Sequence, residues 1–268
     1  MCGIFGVGFL ERKPKKEEII ALLKQFGRYT QHYGNQASGV AVLTPKRSVI
    51  IKHGVDMPSL LDRESTVQLL NDVLSPEGVN DERSISTLIG HCRFPTKGTI
   101  ANNKNNHPFR IGHIIGMHAG CLQNDDKLFK DYEDQFKRIA QVDSEIIFQL
   151  IEHYRKTNLT VEAIKLATAK IEGSFACAVL NDTETSKLYL FRRNTRLNVR
   201  MYYNLGMIVF STDYAAITSK AIRDVFGPSK ERESQDIPIT NDEGIVFDID
   251  NSVFSRFSLS KENFVGYH

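Results

Sequence analysis

Cys2 is the second residue of the chain and is followed by Gly3, a start that commonly loses its initiator methionine. Removal of Met1 would leave a thiol and a free α-amine on one residue. An α-amine titrates near pH ~7.7–8 and a thiol near ~8.5. The neutral amine can therefore take the thiol proton, directly or through one water, as in N-terminal Cys, Ser and Thr nucleophiles. On the dipeptide alone, a small buried apolar side chain is the stronger reading. What lies downstream changes that: an ordered set of motifs, given below, which includes two charged residues, Arg93 and Asp143. Arg93 offers a planar fork that can hold a carboxylate with two hydrogen bonds. Asp143 supplies the opposite charge for an ammonium, and at the expected start of a helix it would also be the N-cap. Singly, these are a strand-end arginine and a helix cap. Together with Cys2 they describe a nucleophile between clamps for the two charged ends of a free amino acid.

Other chemistries find less support. His107, His113 and His118 lie close in sequence, but on a strand over 113–118 the side chains of His113 and His118 point to opposite faces, so no metal site is expected. Cys2, Cys92, Cys121 and Cys177 are scattered without a CxxC pair, which argues against a disulfide framework or structural zinc and for a reducing compartment. The Gly-rich start does not lead into a helix in GxGxxG register, so no dinucleotide cofactor is expected. With 34 basic and 32 acidic side chains the formal charge is +2, no footprint for nucleic acid or an anionic membrane. The run Arg12-Lys13-Pro14-Lys15-Lys16 meets Glu17 and Glu18 at once and reads as a solvated loop entering a helix. No stretch approaches the ~20 apolar residues of a membrane span, and the apolar opening lacks the basic leader of a secretion signal. A cytoplasmic protein is expected.

The elements that must hold the candidate groups follow from periodicity. Cys2 to Phe9 alternates small and apolar residues, as a buried strand with close neighbours would. Residues 16–31 have helical spacing, with Ile19, Ile20, Leu22, Leu23 and Phe26 on one stripe. Strands are predicted over 38–43 and 48–53, and a helix over 59–74 ending at Ser75-Pro76. Strands over 86–92 and 112–118 bracket a loop rich in Asn, Lys and Gly. Helices over 143–156 and 160–171 precede strands over 174–181, 187–192, 199–203 and 206–211. A helix over 213–225 and a hairpin near 244–258 follow. This order predicts an α+β fold of two antiparallel sheets covered by helices. No repeat or linker divides the 268 residues, 41% hydrophobic and 25% charged, so 1–268 is expected to be a single domain, with the part after about 215 an extension of it.

The candidate residues belong to a longer ordered pattern. It comprises Cys2-Gly3-Ile4, Gln31-His32-Tyr33-Gly34-Asn35-Gln36-Ala37-Ser38-Gly39, and Gly90-His91-Cys92-Arg93-Phe94-Pro95-Thr96-Lys97-Gly98. Asn106-His107-Pro108-Phe109, Met117-His118-Ala119-Gly120, Asp143-Ser144-Glu145 and Gly173-Ser174-Phe175-Ala176 continue it. In order and spacing the set resembles the glutaminase domain of class II glutamine amidotransferases over roughly residues 2–215. Arg192-Arg193-Asn194-Thr195-Arg196 and Phe210-Ser211-Thr212-Asp213 are weaker echoes.

The resemblance implies a four-layer α/β/β/α sandwich of the N-terminal-nucleophile hydrolase type, with Cys2 at the exposed end of the first strand. It implies hydrolysis of glutamine to glutamate and ammonia through a γ-glutamyl thioester on Cys2. Arg93 would bind the substrate carboxylate and Asp143 the ammonium. Thr96 would lie on a mobile loop that closes over glutamine, and His107 and Gly120 would join the substrate-binding set. Asn102, Asn103, Asn105 and Asn106 suit a loop that rearranges.

One catalytic position departs from the family. There the oxyanion is met by an Asn side chain and the amide of the following Gly, in a His-Asn-Gly sequence; here the sequence is His118-Ala119-Gly120. The Gly120 amide remains, and loss of the other donor typically costs ~10²–10³ in turnover. An engineered, disabled enzyme, a natural enzyme with a substitute donor, and a protein that binds without catalysis all satisfy the sequence. The first agrees best with the presence of every other element. Tyr33 also stands where the family usually has Arg, and Lys97 where His is common. Most relatives pass ammonia to a fused synthase domain, and the ~50 residues after 215 are too few for one. A synthase or ligase partner in trans is therefore expected. The alternative is a hydrolase of γ-glutamyl amides of small metabolites, and the second alternative a catalytically impaired glutamine-binding or interaction subunit.

Overall fold

The computed structural model describes residues 2–10, 14–74, 86–227 and 233–259. Among these residues the strands form two sheets, and every pairing is antiparallel. The seven-stranded sheet has the order β11 (Ser234–Asp236), β9 (Asn198–Tyr202), β10 (Met207–Ser211), β1 (Gly3–Phe9), β4 (Thr87–Arg93), β2 (Ala37–Leu43) and β3 (Ser48–His53). The six-stranded sheet runs β13 (Val253–Ser258), β12 (Glu243–Asp248), β8 (Lys187–Arg193), β7 (Gly173–Asn181), β6 (Ile114–Leu122) and β5 (Phe109–Ile111).

Strand alternation sorts the side chains into three cores. On β1, Phe5, Val7 and Phe9 pack with Leu22, Leu23 and Phe26 of α1 (Lys16–Thr30), in an outer core. Ile4 faces the other way, into the layer between the sheets, with Met117, Ala119, Ala176 and Phe210. A Cβ added at Gly6 would lie 2.4 Å from the Phe210 ring, so the glycine is what lets that ring fill the layer. On the far side, Phe148 and Ile151 of α5 (Glu145–Arg155) and Ala163 and Ile164 of α6 (Thr160–Thr168) cover the six-stranded sheet. Helices, sheet, sheet and helices are thus stacked as the sequence predicts. Among the described residues no helix is long and apolar enough to cross a membrane.

The predicted elements differ from the observed ones mainly where helices break. The segment 59–74 is two helices, α2 (Met57–Leu61) and α3 (Glu64–Leu74). Asp56 caps the first by accepting from Ser59 N at 2.7 Å, and Pro58 suits its first turn. The expected stop at Ser75-Pro76, like Arg12 and Lys13 of the basic run, lies outside the described residues. The segment 213–225 also divides, into α7 (Tyr214–Ile217) and α8 (Ser219–Phe226), at an extended Thr218. The short α4 (Asp125–Asp131), β5 and β11 have no counterpart in the prediction, because elements of that length carry too few turns or alternations to show a period. β6 runs on past its predicted end at 118 as far as Leu122, which places Ala119 and Gly120 within the sheet. His113 lies just ahead of that strand, in an exposed turn, bonded through Nδ1 to Asp182 at 2.7 Å.

Candidate functional site

Four elements meet at one end of the sandwich. Cys2 immediately precedes β1, and Arg93 is the last residue of the neighbouring β4. Gly120 lies near the end of β6 in the other sheet, and Asp143 sits two residues ahead of α5. Around a cavity of about 20 Å³ are Cys2, Arg93, Phe94, Thr96, Lys97, His107, His118, Gly120, Val142, Asp143 and Ser144. All the predicted site residues except Ala119 are on that wall. Room for about one water is far less than an amino acid needs, and Phe94, Thr96 and Lys97 of the segment that follows β4 are part of the wall that leaves so little space.

The half-buried Cys2 thiol donates to Phe94 O at 3.5 Å. Burial raises its pKa, the Arg93 guanidinium opposes that rise, and the Asp143 carboxylate adds to it. The resting sulfur is therefore held as a thiol and needs a base to attack. Arg93 is 3% exposed, and its Nη1 donates to Asn106 Oδ1 at 2.7 Å. Its Nη2 donates to Lys97 O at 2.7 Å and Gly98 O at 3.1 Å. Burial pulls its pKa down, while Cys2 and Asp143 push it up. No carboxylate among the described residues forms an ion pair with it, so a guanidinium held by neutral oxygens faces the cavity, a ready partner for an anion.

Asp143 is not the helix cap that the sequence suggests. The N-cap of α5 is Ser144, and the Asp143 carboxylate instead accepts from Leu122 N at 2.8 Å, at the end of β6. A strand end rather than a helix end therefore pins it. His118 links the same pieces: Nε2 donates to Ser174 O at 3.3 Å and Nδ1 takes the Ser144 hydroxyl at 2.8 Å, the arrangement a neutral ring requires. Burial lowers its pKa. His91 donates Nε2 to His118 O at 3.1 Å and stacks on His107 with centroids 4.1 Å apart. Burial lowers His91 to about 3 and His107 well below the ordinary value. Neither His107 ring nitrogen has a partner among the described residues.

On the oxyanion side, Ala119 is fully buried in the layer between the sheets, against whose edge Cys2 packs. Its methyl group has no donor to offer. Gly120 has φ +155° and a Cβ there would lie 2.1 Å from Ser174 O, so no other residue fits that strand position. Sequence reasoning gave no role to His118, Val142 or Ser144, although His118 and Ser144 fall inside the quoted motifs and adjacency to Gly120 and Asp143 was the available signal. Among the described residues no group of His, Cys, Asp and Glu could hold a metal ion.

The chain is similar to several known proteins. Residues 91–219 match the model of a family described as a glutamine amidotransferase domain. The glutamine–fructose-6-phosphate aminotransferase (isomerizing) of Staphylococcus aureus strain Mu50 is 26% identical over 266 residues, covering 98% of this chain and 40% of that protein. The Aeropyrum pernix protein of the same name is 28% identical over 229 residues, covering 84% of this chain and 34% of its own length. The chain thus spans well under half of these curated relatives. Among solved structures, the glutamine phosphoribosylpyrophosphate amidotransferase of B. subtilis superposes with a TM-score of 0.68 at 16% identity, over 97% of this chain and 50% of that one. A glutamine aminotransferase class-II domain protein from Silicibacter pomeroyi gives 0.55 at 12% identity, over 96% and 99%. At such identities the two structures speak for the fold alone.

Proposed function

The chain belongs to the class II glutamine amidotransferases, and from that premise we propose that it hydrolyses glutamine, with Cys2 as nucleophile once Met1 is removed. The observation that carries this reading is the shared cavity: a thiol, a guanidinium without an anionic partner among the described residues and a carboxylate converge on one small hollow. Arg93 takes the α-carboxylate in place of the Lys97 and Gly98 carbonyls, because a charged acceptor bonds it more strongly than neutral oxygens do. Asp143 takes the ammonium. Thr96, on the covering segment, and His107 complete the substrate wall.

The α-amine of Cys2 receives the thiol proton as sulfur attacks the amide carbon. The negative oxygen meets the Gly120 N–H. The carbon–nitrogen bond breaks as the ammonium returns its proton to the leaving group, and ammonia departs. A water deprotonated by the same amine then attacks the γ-glutamyl thioester, and glutamate leaves with Cys2 restored. With one of the usual two oxyanion donors replaced by Ala119, turnover is slow. Residues 1–268 act as one domain whose last strands extend the two sheets, and the ammonia serves a synthase or ligase on another chain.

The test is labelling with a diazo-ketone analogue of glutamine, read by peptide mass. One adduct is expected, on Cys2, prevented by excess glutamine; an adduct elsewhere, or protection by no glutamine concentration, sinks the assignment. Intact mass reports whether Met1 is gone. Ammonia release from larger γ-glutamyl amides but not from glutamine would move the substrate to small-metabolite amides.

A further inference from the structure

The segment that covers Cys2 is fastened on its outer side by a lysine. Lys97 Nζ lies 2.8 Å from Asp125 Oδ2 and 3.2 Å from Asp126 Oδ1, both in the first turn of α4. Arg138 holds the same two carboxylates, at 2.9 Å from Asp125 and in direct contact with Asp126. The Asp125 side chain is only 8% exposed but that of Lys97 is 42% exposed, so the pair is held firmly at one end and open to screening by salt at the other. The other polar ties of Phe94–Gly98 run to Cys2 and Arg93, the groups that substrate must engage. These ties therefore give way on binding, whereas the Lys97 ammonium, although its residue lines the cavity, pairs with two carboxylates that do not. A cavity of about 20 Å³ admits no amino acid until this segment swings, and swinging pulls Lys97 from α4.

We propose that Lys97 is a positioning residue whose bridge to Asp125 and Asp126 sets how often Phe94–Gly98 uncovers Cys2, and with it the access of substrate to the thiol. The meaning of the inference rests on the glutaminase reading, but its test does not. A histidine, common at this position in the family, is mostly uncharged at neutral pH; the lysine makes the fastening ionic and sensitive to salt.

The measurement is the rate at which iodoacetamide alkylates Cys2 in the full chain, resolved from the other cysteines by peptide mass. Lys97→Met keeps the length and removes the charge, and should raise the low-salt rate roughly five-fold, the scale of one partly exposed ion pair. Added salt should accelerate the wild-type protein and leave Lys97→Met unchanged. Lys97→Arg should restore the wild-type rate. Loss of a cation near a thiol by itself lowers the thiolate fraction and slows alkylation, so acceleration reports uncovering. An unchanged or slower rate in Lys97→Met, or a Lys97→Arg protein as fast as Lys97→Met, overturns the proposal. If alkylation follows the expected pattern while glutamine yields no ammonia, the fastening stands and the glutaminase reading fails.

Discussion

The two sheets contribute unequally to the cavity. From the seven-stranded sheet come Cys2 ahead of β1, Arg93 at the end of β4, and the covering segment that follows it. From the six-stranded sheet and its helices come Gly120 and Asp143, with Ala119 buried behind them. The first side carries a thiol and a guanidinium, both held by hydrogen bonds. The second offers a carboxylate and a backbone amide, and an apolar methyl where negative charge would develop. On the proposed roles each side supplies one substrate clamp and one group for the reaction, Arg93 with Cys2 and Asp143 with Gly120, so capture and turnover are separable at single residues, which is the difference between binding a substrate and binding its transition state.

The largest expected effect tests that division. Ala119→Asn should raise kcat for glutamine by ~10²–10³ with KM little changed, the inverse of removing an oxyanion donor. Because Ala119 is fully buried, the added carboxamide should also cost ~1–3 kcal/mol through overpacking, visible in a melting curve taken alongside. A change in KM without one in kcat would break the comparison. On the other sheet, Arg93→Lys keeps the charge and loses the fork, and should raise KM roughly ten-fold with a smaller change in kcat. Equal losses in kcat and kcat/KM would show that Arg93 acts in the transition state instead.

The smallest effect concerns the histidines between the two sides. His91, His107 and His118 all have folded pKa values below the ordinary histidine value of ~6.5, His91 at about 3. Below that ordinary value the unfolded chain binds protons that the folded chain refuses. Their neutral forms therefore contribute fully above pH ~6.5, and stability falls as pH drops from there, for His91 down to about 3, by up to ~1.4 kcal/mol per pH unit for a ring. The melting temperature should fall between pH 7 and 5, and His91→Gln should flatten that fall. A flat wild-type profile would show that these rings ionise in place.

Much of this architecture is legible in the sequence because its signals are local. The alternation from Gly3 to Phe9 and the stripe of Ile19, Leu22, Leu23 and Phe26 give β1 and α1 nearly to the residue. Ordered motifs brought Cys2, Arg93, Thr96, His107, Gly120 and Asp143 together, and these line one cavity. What the sequence hid depends on contacts distant along the chain. The Asp143 carboxylate reaches Leu122 across 21 residues, and no helix-capping rule anticipates that. Nor does the spacing of Lys97 and Asp125, 28 residues apart, reveal that the two pair. The breaks at Asp62-Arg63 and Thr218 were invisible because the apolar stripe continues through them.

The position of β1 has a consequence for how the protein is made. It occupies the middle of its sheet, between β4 and β10, yet it leaves the ribosome before either neighbour exists. The backbone N–H and C=O groups along its two edges stay unpaired until synthesis has passed Arg93 on one side and Ser211 on the other. β1 is therefore sealed on both edges only once β10 has been made, and a chain interrupted before β10 would expose a sticky, half-matched ribbon that invites association with other chains.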